Sequence, residues 1–250
     1  MTLPLVMYGS YTCEDTAFTR DRLRTLRVPF KESMKEDAPQ VEEILAKYNS
    51  GSPRTPTLVF GDSQAEIVIA EPTIEQLEET LTKAGYTFDA PKAQTLPTRH
   101  HAPDLTTLPA FRSDAISGET VGRPGKIVVL FAHSEGCRVC QGYTKQIVAR
   151  VNEFRDRDAH LRIVLHTDLK SAENWAKEFA PGIEIRADDD GAMKREFADY
   201  LPDQLDVRPG GAWLLILDRD EMPRLGVYGP DAGGLISPTQ IIQCLTEWDF

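Results

Sequence analysis

Residues 125–140 read GKIVVLFAHSEGCRVC and contain a strong structural signal. The apolar run Ile127–His133 has the length and composition of a buried β-strand. Cys137 and Cys140 follow it, three positions apart, where the next helical pattern begins. A buried strand that leads directly into a helix is typical of α/β proteins, in which helices cover a sheet.

The same order of strand and helix continues towards the carboxyl end of the chain. Hydrophobic spacing predicts alternating strands and helices, then a hairpin, then a helix that has proline in its first turn. The predicted elements are helix Val139–Phe154, strand Leu161–Thr167, helix Ala172–Phe179, strand Glu184–Ala187, helix Ala192–Tyr200, strands Trp213–Asp218 and Arg224–Tyr228, and a helix from Pro238.

The first part of the sequence has the order βαβαββα. Strands separated by helices are expected to pair in parallel, and the short link at residues 61–63 predicts an antiparallel hairpin. The predicted elements are strand Leu3–Gly9, helix Asp15–Leu26, strand Pro29–Met34, helix Val41–Tyr48, strands Thr57–Phe60 and Ile67–Ile69, and helix Ile74–Ala84, with Gly85 as its stop.

A proline-rich stretch with no periodic apolar pattern lies between these two parts. We therefore predict a first domain at residues 1–88, a linker or extended segment at 89–108, and a second domain at 109–250. The predicted fold class is α/β, with two tandem domains that each contain a mixed β-sheet flanked by helices.

The charge of the chain excludes some classes of partner. The 250 residues contain 28 Lys and Arg against 39 Asp and Glu, a net charge of −11. This charge repels phosphate backbones and anionic membrane surfaces, so we expect no nucleic-acid or membrane partner.

Without an apolar run of ~20 residues or an export signal, the protein is expected to be cytoplasmic. In a reducing compartment, cysteines are kept for reactivity or metal binding.

Cys13 stands where the first predicted strand gives way to the first helix, in YGSYTCEDT. Unpaired N–H groups and the helix dipole favour a thiolate at this position, as expected of a nucleophile. Thr16 lies where a dithiol motif has its second cysteine, so a mixed disulfide on Cys13 must be resolved from elsewhere. The alternative is that Cys13 is a small buried core residue.

Cys137 and Cys140 can form a disulfide within one helical turn, and Cys137 is the one favoured as thiolate. Arg138 adds a positive charge between them. His133 is a candidate base or proton relay, although a histidine at a strand end is often structural. Half of a zinc site is a competing interpretation, but no second pair of ligands follows at ligand spacing, so we expect no metal.

With YGSYTC, Thr55-Pro56 and the βαβαββα order, the stretch from Leu3 to Tyr86 resembles the glutaredoxins. This resemblance implies that Cys13 attacks a disulfide or a glutathionylated thiol. It also implies that Thr55 and Pro56 bind the substrate through a cis-proline turn, with Arg54 adding positive charge. CEDT corresponds to the monothiol form. Glutathione or an analogue is then the low-molecular-weight co-substrate, and no bound cofactor is implied.

From about residue 98 to the end, the sequence is similar to the AhpC/TSA (redoxin) group of thioredoxin-like peroxiredoxins. HHAPDLTTLPAF, SGETV, GKIVVLFAH, ADDDGAMKREFADYL and WLLILDRDEMPRL carry the similarity. The family pattern Pro-x-x-x-Thr-x-x-Cys here reads His133, Cys137 and Cys140. Because proline and threonine are replaced, thiol–disulfide exchange by Cys137, with Cys140 as the resolving thiol, fits better than peroxide reduction.

The sequence thus predicts a thiol–disulfide oxidoreductase, active in cell redox homeostasis, that acts through Cys13 and the Cys137/Cys140 pair by way of mixed disulfides. The expected partners are disulfide-containing proteins or a small thiol, with a reductase or a thioredoxin as electron donor. Two alternatives stay open. One is a thiol peroxidase with Cys140 or Cys137 as the peroxidatic residue, and the other is a non-catalytic thioredoxin-fold binding module.

Overall fold

A computed structural model describes residues 2–62, 65–95, 125–191, 194, 211–219 and 222–247. The chain divides into two compact units, Met1–Ala90 and Pro91–Phe250. The predicted helix Ala192–Tyr200, apart from Lys194, and residues 96–108 of the predicted linker lie outside the described residues. Within the described ranges, no helix has both the length and the apolar character that a membrane span requires.

The first unit contains a four-stranded sheet of order β2-β1-β3-β4. β1 pairs in parallel with β2 and antiparallel with β3, and β3 and β4 form an antiparallel hairpin. The elements are β1 (Leu5–Gly9), α1 (Glu14–Thr25), β2 (Lys31–Met34), α2 (Gln40–Tyr48), β3 (Thr57–Asp62), β4 (Ala65–Ala70) and α3 (Ile74–Lys83).

The core of the first unit is formed by apolar side chains that recur on one face of each strand and helix. Leu5 and Met7 alternate with half-buried residues along β1, and they pack in one cluster with Leu77 and Leu81 of α3. Thr73 begins α3 with a capping box, in which its hydroxyl accepts the N–H of residue 76 at 3.3 Å. The sheet and its helices therefore hold the β1–α1 connection, where Cys13 lies, against a packed layer.

The second unit contains a six-stranded sheet of order β5-β10-β9-β6-β7-β8. β6, β7 and β8 pair in parallel, whereas β9 pairs antiparallel with β6 and β10, and β10 pairs antiparallel with β5. The elements are β5 (Gln94–Thr95), β6 (Lys126–Ala132), α4 (Arg138–Val148), α5 (Val151–Arg155), β7 (Ala159–Leu165), α6 (Leu169–Phe179), β8 (Glu184–Ala187), β9 (Ala212–Leu217), β10 (Pro223–Gly229), a 3₁₀ helix (Ala232–Gly234) and α7 (Pro238–Glu247).

The predicted fold class, two tandem α/β domains that each contain a mixed sheet flanked by helices, is confirmed. Within the predicted linker, Gln94–Thr95 forms the short strand β5 at the edge of the second sheet. The domain boundaries proposed from the sequence stay predictions.

Two details of the sequence prediction are wrong. Parallel pairing was expected for strands separated by helices, yet β3 runs antiparallel to β1 although α2 lies between β2 and β3. A short hairpin link requires antiparallel pairing, but a long connection containing a helix permits either direction. The presence of a helix therefore does not determine the direction of the next strand.

The predicted helix Val139–Phe154 is interrupted at Arg150. Its backbone leaves the helical region (φ −112°, ψ 13°), and its amide donates to Ile147 O at 3.2 Å, which tightens the last turn of α4. Its guanidinium binds Glu153 at 2.6 Å and Thr239 at 2.5 Å. The buried Ile147 and Phe154 keep a helical period across the break, so hydrophobic spacing could not detect it.

Candidate functional site

The strand β6 and the helix α4 place the two cysteines of the second unit. Cys137 is the N-cap of α4, with extended backbone (φ −75°, ψ 99°), and its Sγ accepts the N–H of Cys140 at 3.3 Å. The carbonyl of Cys137 accepts the N–H of Gln141 at 3.0 Å, which begins the helical hydrogen bonds. Cys137 therefore fills the capping role that Ser or Asp usually has, with sulfur as the acceptor.

The two thiols differ in exposure and ionisation. Cys137 is half-buried, whereas Cys140 is 0% exposed and accepts the main-chain N–H of His133 at 3.5 Å. The hydrogen bond from the Cys140 thiol lowers the pKa of Cys137, although burial opposes this. The same bond, followed by burial, raises the pKa of Cys140 well above its ordinary value. Of the two thiols, Cys137 is thus the one that ionises more readily, and Cys140 is the hydrogen-bond donor.

The segment that contains the 3₁₀ helix lies against these thiols. Asp231 Oδ1 accepts the N–H of Gly233 at 2.8 Å, and Tyr143 of α4 donates its hydroxyl to Ile236 O at 2.8 Å. The carboxylate of Asp231 raises the pKa of Cys137, against the larger effect of Cys140. The main-chain N–H of Ala232 has a favourable hydrogen bond to Cys140 and lowers its pKa. This segment therefore acts on both sulfurs.

Lys194 is a half-buried cation of the second unit. Its ammonium donates to Gly211 O and lies 5.0 Å from the centre of the Trp213 ring, and its main-chain N–H donates to Asp188 Oδ2 at 3.2 Å. Burial lowers the pKa of Lys194, whereas the negative charges of Cys140 and Asp188 act in the opposite direction. The effect of burial is the larger, so the pKa of Lys194 is lowered.

His133, the candidate proton relay, is exposed at the end of β6. The contact between this residue and Cys140 involves its main-chain N–H, not its imidazole. His133 thus contacts Cys140 through its backbone, and a proton relay through its side chain stays a prediction.

In the first unit, Cys13 is the N-cap of α1 and is half-buried. Its thiol donates to Thr55 O at 3.2 Å, and its carbonyl accepts the N–H of Ala17 at 3.1 Å. The Thr55–Pro56 peptide bond is cis. The structure thus brings Cys13, Thr55 and Pro56 together, as the proposed substrate-binding role of this turn requires.

Charged residues also surround this turn. Arg54 is exposed and lies 4.0 Å from Glu71, and the N–H of Glu71 donates to Pro56 O at 2.8 Å. Burial raises the pKa of Asp15 in α1, and the nearby carboxylate of Glu71 adds to this effect. The positive charge of Arg54 is therefore partly neutralised by Glu71.

Thr16 occupies the position three residues after Cys13 and is 0% exposed. Its Oγ1 accepts the N–H of Ser10 at 3.4 Å, and its methyl group would meet any Cβ added at Gly9. The loop before Cys13 is held from the side by Glu36, which accepts the Ser10 hydroxyl at 2.5 Å. Thr16 therefore packs and orients this loop and supplies no second thiol.

Sequence reasoning did not find Lys194, Asp231 or Ala232 as parts of the second site. All three lie far along the chain from Cys137 and Cys140, and no local spacing marks them. The stretch ADDDGAMKREFADYL, which contains Lys194, gave no reason to single out this lysine. Among the described residues, no group of three or more His, Cys, Asp or Glu side chains could hold a metal ion.

Residues 98–212 match the model of the AhpC/TSA family. Over this range the chain is similar to redoxin domains, which have a thioredoxin fold and thiol-dependent redox chemistry. No curated protein matches the chain.

Several solved structures are similar to about half of the chain. Peroxiredoxin 5 from Alvinella pompejana has a TM-score of 0.40 and 16% identity, over 50% of this chain and 82% of that one. The bacterioferritin comigratory protein from Xanthomonas campestris has a TM-score of 0.39 and 14% identity, over 49% and 79%. The yeast mitochondrial 1-Cys peroxiredoxin has a TM-score of 0.43 and 13% identity, over 49% and 63%.

Proposed function

We propose that the protein is a thiol–disulfide oxidoreductase in which Cys137 is the nucleophile and Cys140 the resolving thiol. The observation that carries this proposal is the asymmetry of the pair. Cys137 is half-buried and accepts hydrogen bonds, while Cys140 is fully buried and donates to it. Exchange needs one accessible thiolate and one protected thiol within reach of it, and this pair provides both.

In the first step, the Cys137 thiolate attacks one sulfur of a substrate disulfide. The substrate S–S bond breaks, a bond forms from Cys137 to the attacked sulfur, and the other sulfur leaves as a thiolate that takes a proton from water. In the second step, Cys140 loses its proton and attacks Cys137. The remaining substrate thiol is released, and a Cys137–Cys140 disulfide forms. Two electrons have passed from the pair to the substrate.

The oxidised pair needs a reductant to complete the cycle, and a thioredoxin or a reductase that donates two electrons is the class we propose. Disulfide-containing proteins and small disulfides are the proposed substrates. The half-buried position of Cys137 beside the exposed residues at the end of β6 supports access by such substrates.

We further propose that Cys13 forms mixed disulfides with a low-molecular-weight thiol, glutathione or an analogue. The donor bond from Cys13 to Thr55 O and the adjacent Pro56 support a glutaredoxin-like site. Because Thr16 replaces a second thiol, the mixed disulfide on Cys13 is resolved by a thiol from solution. This is monothiol chemistry, distinct from that of the Cys137/Cys140 pair.

Insulin reduction and a mixed-disulfide reductase assay, run on single serine variants, test these assignments. Cys137→Ser is expected to abolish dithiol-dependent insulin reduction. Cys140→Ser is expected to trap a mixed disulfide on Cys137 that mass spectrometry detects. Cys244→Ser, a half-buried cysteine on α7, is the matched control and should keep full activity. Activity that survives Cys137→Ser would contradict the dithiol mechanism, and activity on small mixed disulfides that survives Cys13→Ser would contradict its role.

A thiol peroxidase is the second candidate, and the match of residues 98–212 to the AhpC/TSA family favours it. The peroxidatic thiol must meet peroxide as a thiolate, so Cys137 is a better candidate than the buried, protonated Cys140. Peroxide consumption and chemical trapping of a sulfenic acid on Cys137 would support this activity. Insulin reduction without peroxide consumption would favour thiol–disulfide exchange alone.

A further inference from the structure

The 3₁₀ segment, residues 231–236, runs from β10 towards α7 and is packed into the second unit. Its helical turn contacts α4, β9 and β10. Ala232 is 0% exposed, and Ile236 is 1% exposed. At the base of the segment, a Cβ added to Gly229 would lie 2.9 Å from the Cα of Gly234, so the backbone is closed tightly on itself. The place of this segment therefore determines where its main-chain N–H groups point.

Two main-chain N–H groups reach the buried sulfur of Cys140. His133, which follows β6, donates to this sulfur at 3.5 Å. Ala232, the first residue of the 3₁₀ helix, provides the second N–H, and its hydrogen bond favours the thiolate of Cys140. Neither donor belongs to the side chain of Cys137, so both are available after Cys137 has reacted.

The charged groups around the pair change when Cys137 becomes part of a mixed disulfide. In the reduced pair, the hydrogen bond to Cys137 is the largest cause of the raised pKa of Cys140, followed by burial and by the charge of Cys137. The mixed disulfide has neither this bond nor this charge. The carboxylate of Asp231 opposes ionisation of Cys137, Lys194 interacts with the charge of Cys140, and the side chain of His133 is exposed. Burial then opposes the Cys140 thiolate, and the main-chain donors favour it.

Tyr143 joins the 3₁₀ segment to the helix that carries Cys140. It lies three residues after Cys140 in α4, so the two side chains share one face of the helix. Tyr143 is 0% exposed, and its hydroxyl donates to Ile236 O at 2.8 Å in a buried hydrogen bond. The hydroxyl thus holds the carboxyl end of the segment whose amino end contains Ala232.

We propose that Tyr143 is a positioning residue for the resolving step. Its bond to Ile236 O holds the 3₁₀ segment in place, so that the first N–H of the 3₁₀ helix meets the sulfur of Cys140 as this thiol ionises. The inference rests on the proposed dithiol exchange. In the resolving step, Cys140 gives its proton to water and attacks Cys137. The Cys137–Cys140 bond forms, and the substrate sulfur leaves as a thiolate. Tyr143 exchanges no bond and no proton with the reacting atoms.

Tyr143→Phe keeps the ring and removes the hydroxyl. The buried carbonyl of Ile236 then loses its donor, and an unpaired buried carbonyl is unfavourable. The segment is therefore expected to shift towards another donor, and the N–H of Ala232 moves with it. Because this N–H favours the thiolate, its displacement raises the pKa of Cys140 in the mixed disulfide.

The reaction of the full chain with 4,4′-dithiodipyridine separates the two steps. A Cys13→Ser, Cys244→Ser background leaves only the pair. Absorbance then follows one thiopyridone released by attack of Cys137, at a rate proportional to probe concentration. It also follows a second released by attack of Cys140, at a rate independent of probe concentration. Both rates are measured from neutral to alkaline pH.

Tyr143→Phe is expected to slow the second release at pH 7 by about tenfold, the change in thiolate population that one hydrogen bond to a charged group controls. The two proteins should converge at high pH, where Cys140 is ionised in both. The first release should not become slower, because Asp231, the charged group of the segment, opposes ionisation of Cys137.

Tyr86→Phe is the matched control. It removes another tyrosine hydroxyl that donates to a main-chain oxygen, Leu3 O at 2.7 Å, but in the first unit. This variant should show the second-release profile of the parent.

Equal second-release profiles in the parent and Tyr143→Phe would overturn the inference while leaving dithiol exchange intact. Slowing by the same factor at every pH would also overturn it, since that is the effect of a structural loss without a change in ionisation. A parent that releases only one thiopyridone would instead overturn dithiol exchange itself.

Circular dichroism and urea unfolding check that each variant folds. If Tyr143→Phe does not fold, Ala232→Pro provides a second test. It removes the N–H at the first position of the 3₁₀ helix, where proline is well tolerated, after Asp231 with its extended backbone. The second-release profile should again move to higher pH, and an unchanged profile would overturn the inference.

Discussion

Cys140→Ala removes the thiol that donates a hydrogen bond to Cys137, and it leaves the main-chain N–H of residue 140 in place. The side-chain bond is the largest cause of the lowered pKa of Cys137, so the pKa of Cys137 should rise in this variant. Cys140→Ser keeps a hydroxyl donor at the same position and is the matched control. Any difference between the two variants then reports the side-chain hydrogen bond.

The size of the effect follows from the strength of that bond. A hydrogen bond to a charged group contributes about 1.5–3 kcal/mol, and the low end gives a conservative estimate of the difference between a hydroxyl donor and no donor at position 140. About 1.5 kcal/mol corresponds to about tenfold in the ratio of thiolate to thiol. Since only the thiolate reacts with iodoacetamide, alkylation of Cys137 at pH 7 should be about tenfold slower in Cys140→Ala than in Cys140→Ser.

The assay measures alkylation of Cys137 as a function of pH in a Cys13→Ser, Cys244→Ser background. The two variants should differ most near neutral pH and converge at high pH, where Cys137 is ionised in both. Equal rates at pH 7 would refute the assigned hydrogen bond. A constant ratio at every pH would indicate changed access to the thiol, and it would also refute the argument from ionisation.

Two further predictions concern charge. Asp231→Asn removes a carboxylate that raises the pKa of Cys137, so alkylation of Cys137 should become faster below pH 7, by about two- to fivefold for a partly screened charge. Unchanged or slower alkylation would contradict this. Glu78→Gln weakens the ion pair with Arg22, which is 0% exposed, and should lower the free energy of unfolding in urea by about 2 kcal/mol. The control Glu79→Gln, an exposed carboxylate of the same helix, should leave the free energy of unfolding nearly unchanged.

The sequence was sufficient for elements whose signal is local. The strand β8 has the predicted bounds Glu184–Ala187, and the continuous apolar run before Cys137 is the buried strand β6. The cap position of Cys137 was also predictable, because an apolar strand followed by a helical pattern fixes where the helix begins. Each of these follows from side-chain period or from neighbouring residues along the chain.

The direction of β3 and the break at Arg150 could not be predicted from the local sequence. Strand direction depends on the path of the whole connection, and the break is accompanied by a contact between Arg150 and Thr239 on α7, a residue distant in sequence. The difference in ionisation between Cys137 and Cys140 was predicted in its sign from helix position. The effects of Asp231 and Ala232 on the pKa values of these two thiols could not be predicted, because only the fold brings these distant residues close to the cysteines.

The two candidate thiol sites resemble each other in their position in the fold but differ in the residue three positions after the cysteine. Each begins a helix after a buried strand, and each is half-buried. At Cys137 the residue three positions on is Cys140, whose thiol donates a hydrogen bond to Cys137 and is the proposed resolving thiol. At Cys13 the corresponding Thr16 is fully buried, and its oxygen is engaged with the N–H of Ser10. A mixed disulfide on Cys137 can therefore be resolved within α4, whereas Thr16 cannot resolve one on Cys13. In the proposed exchange, the internal step needs a thiolate at the buried Cys140, and the main-chain N–H groups of His133 in the β6 end and Ala232 in the 3₁₀ segment favour that thiolate.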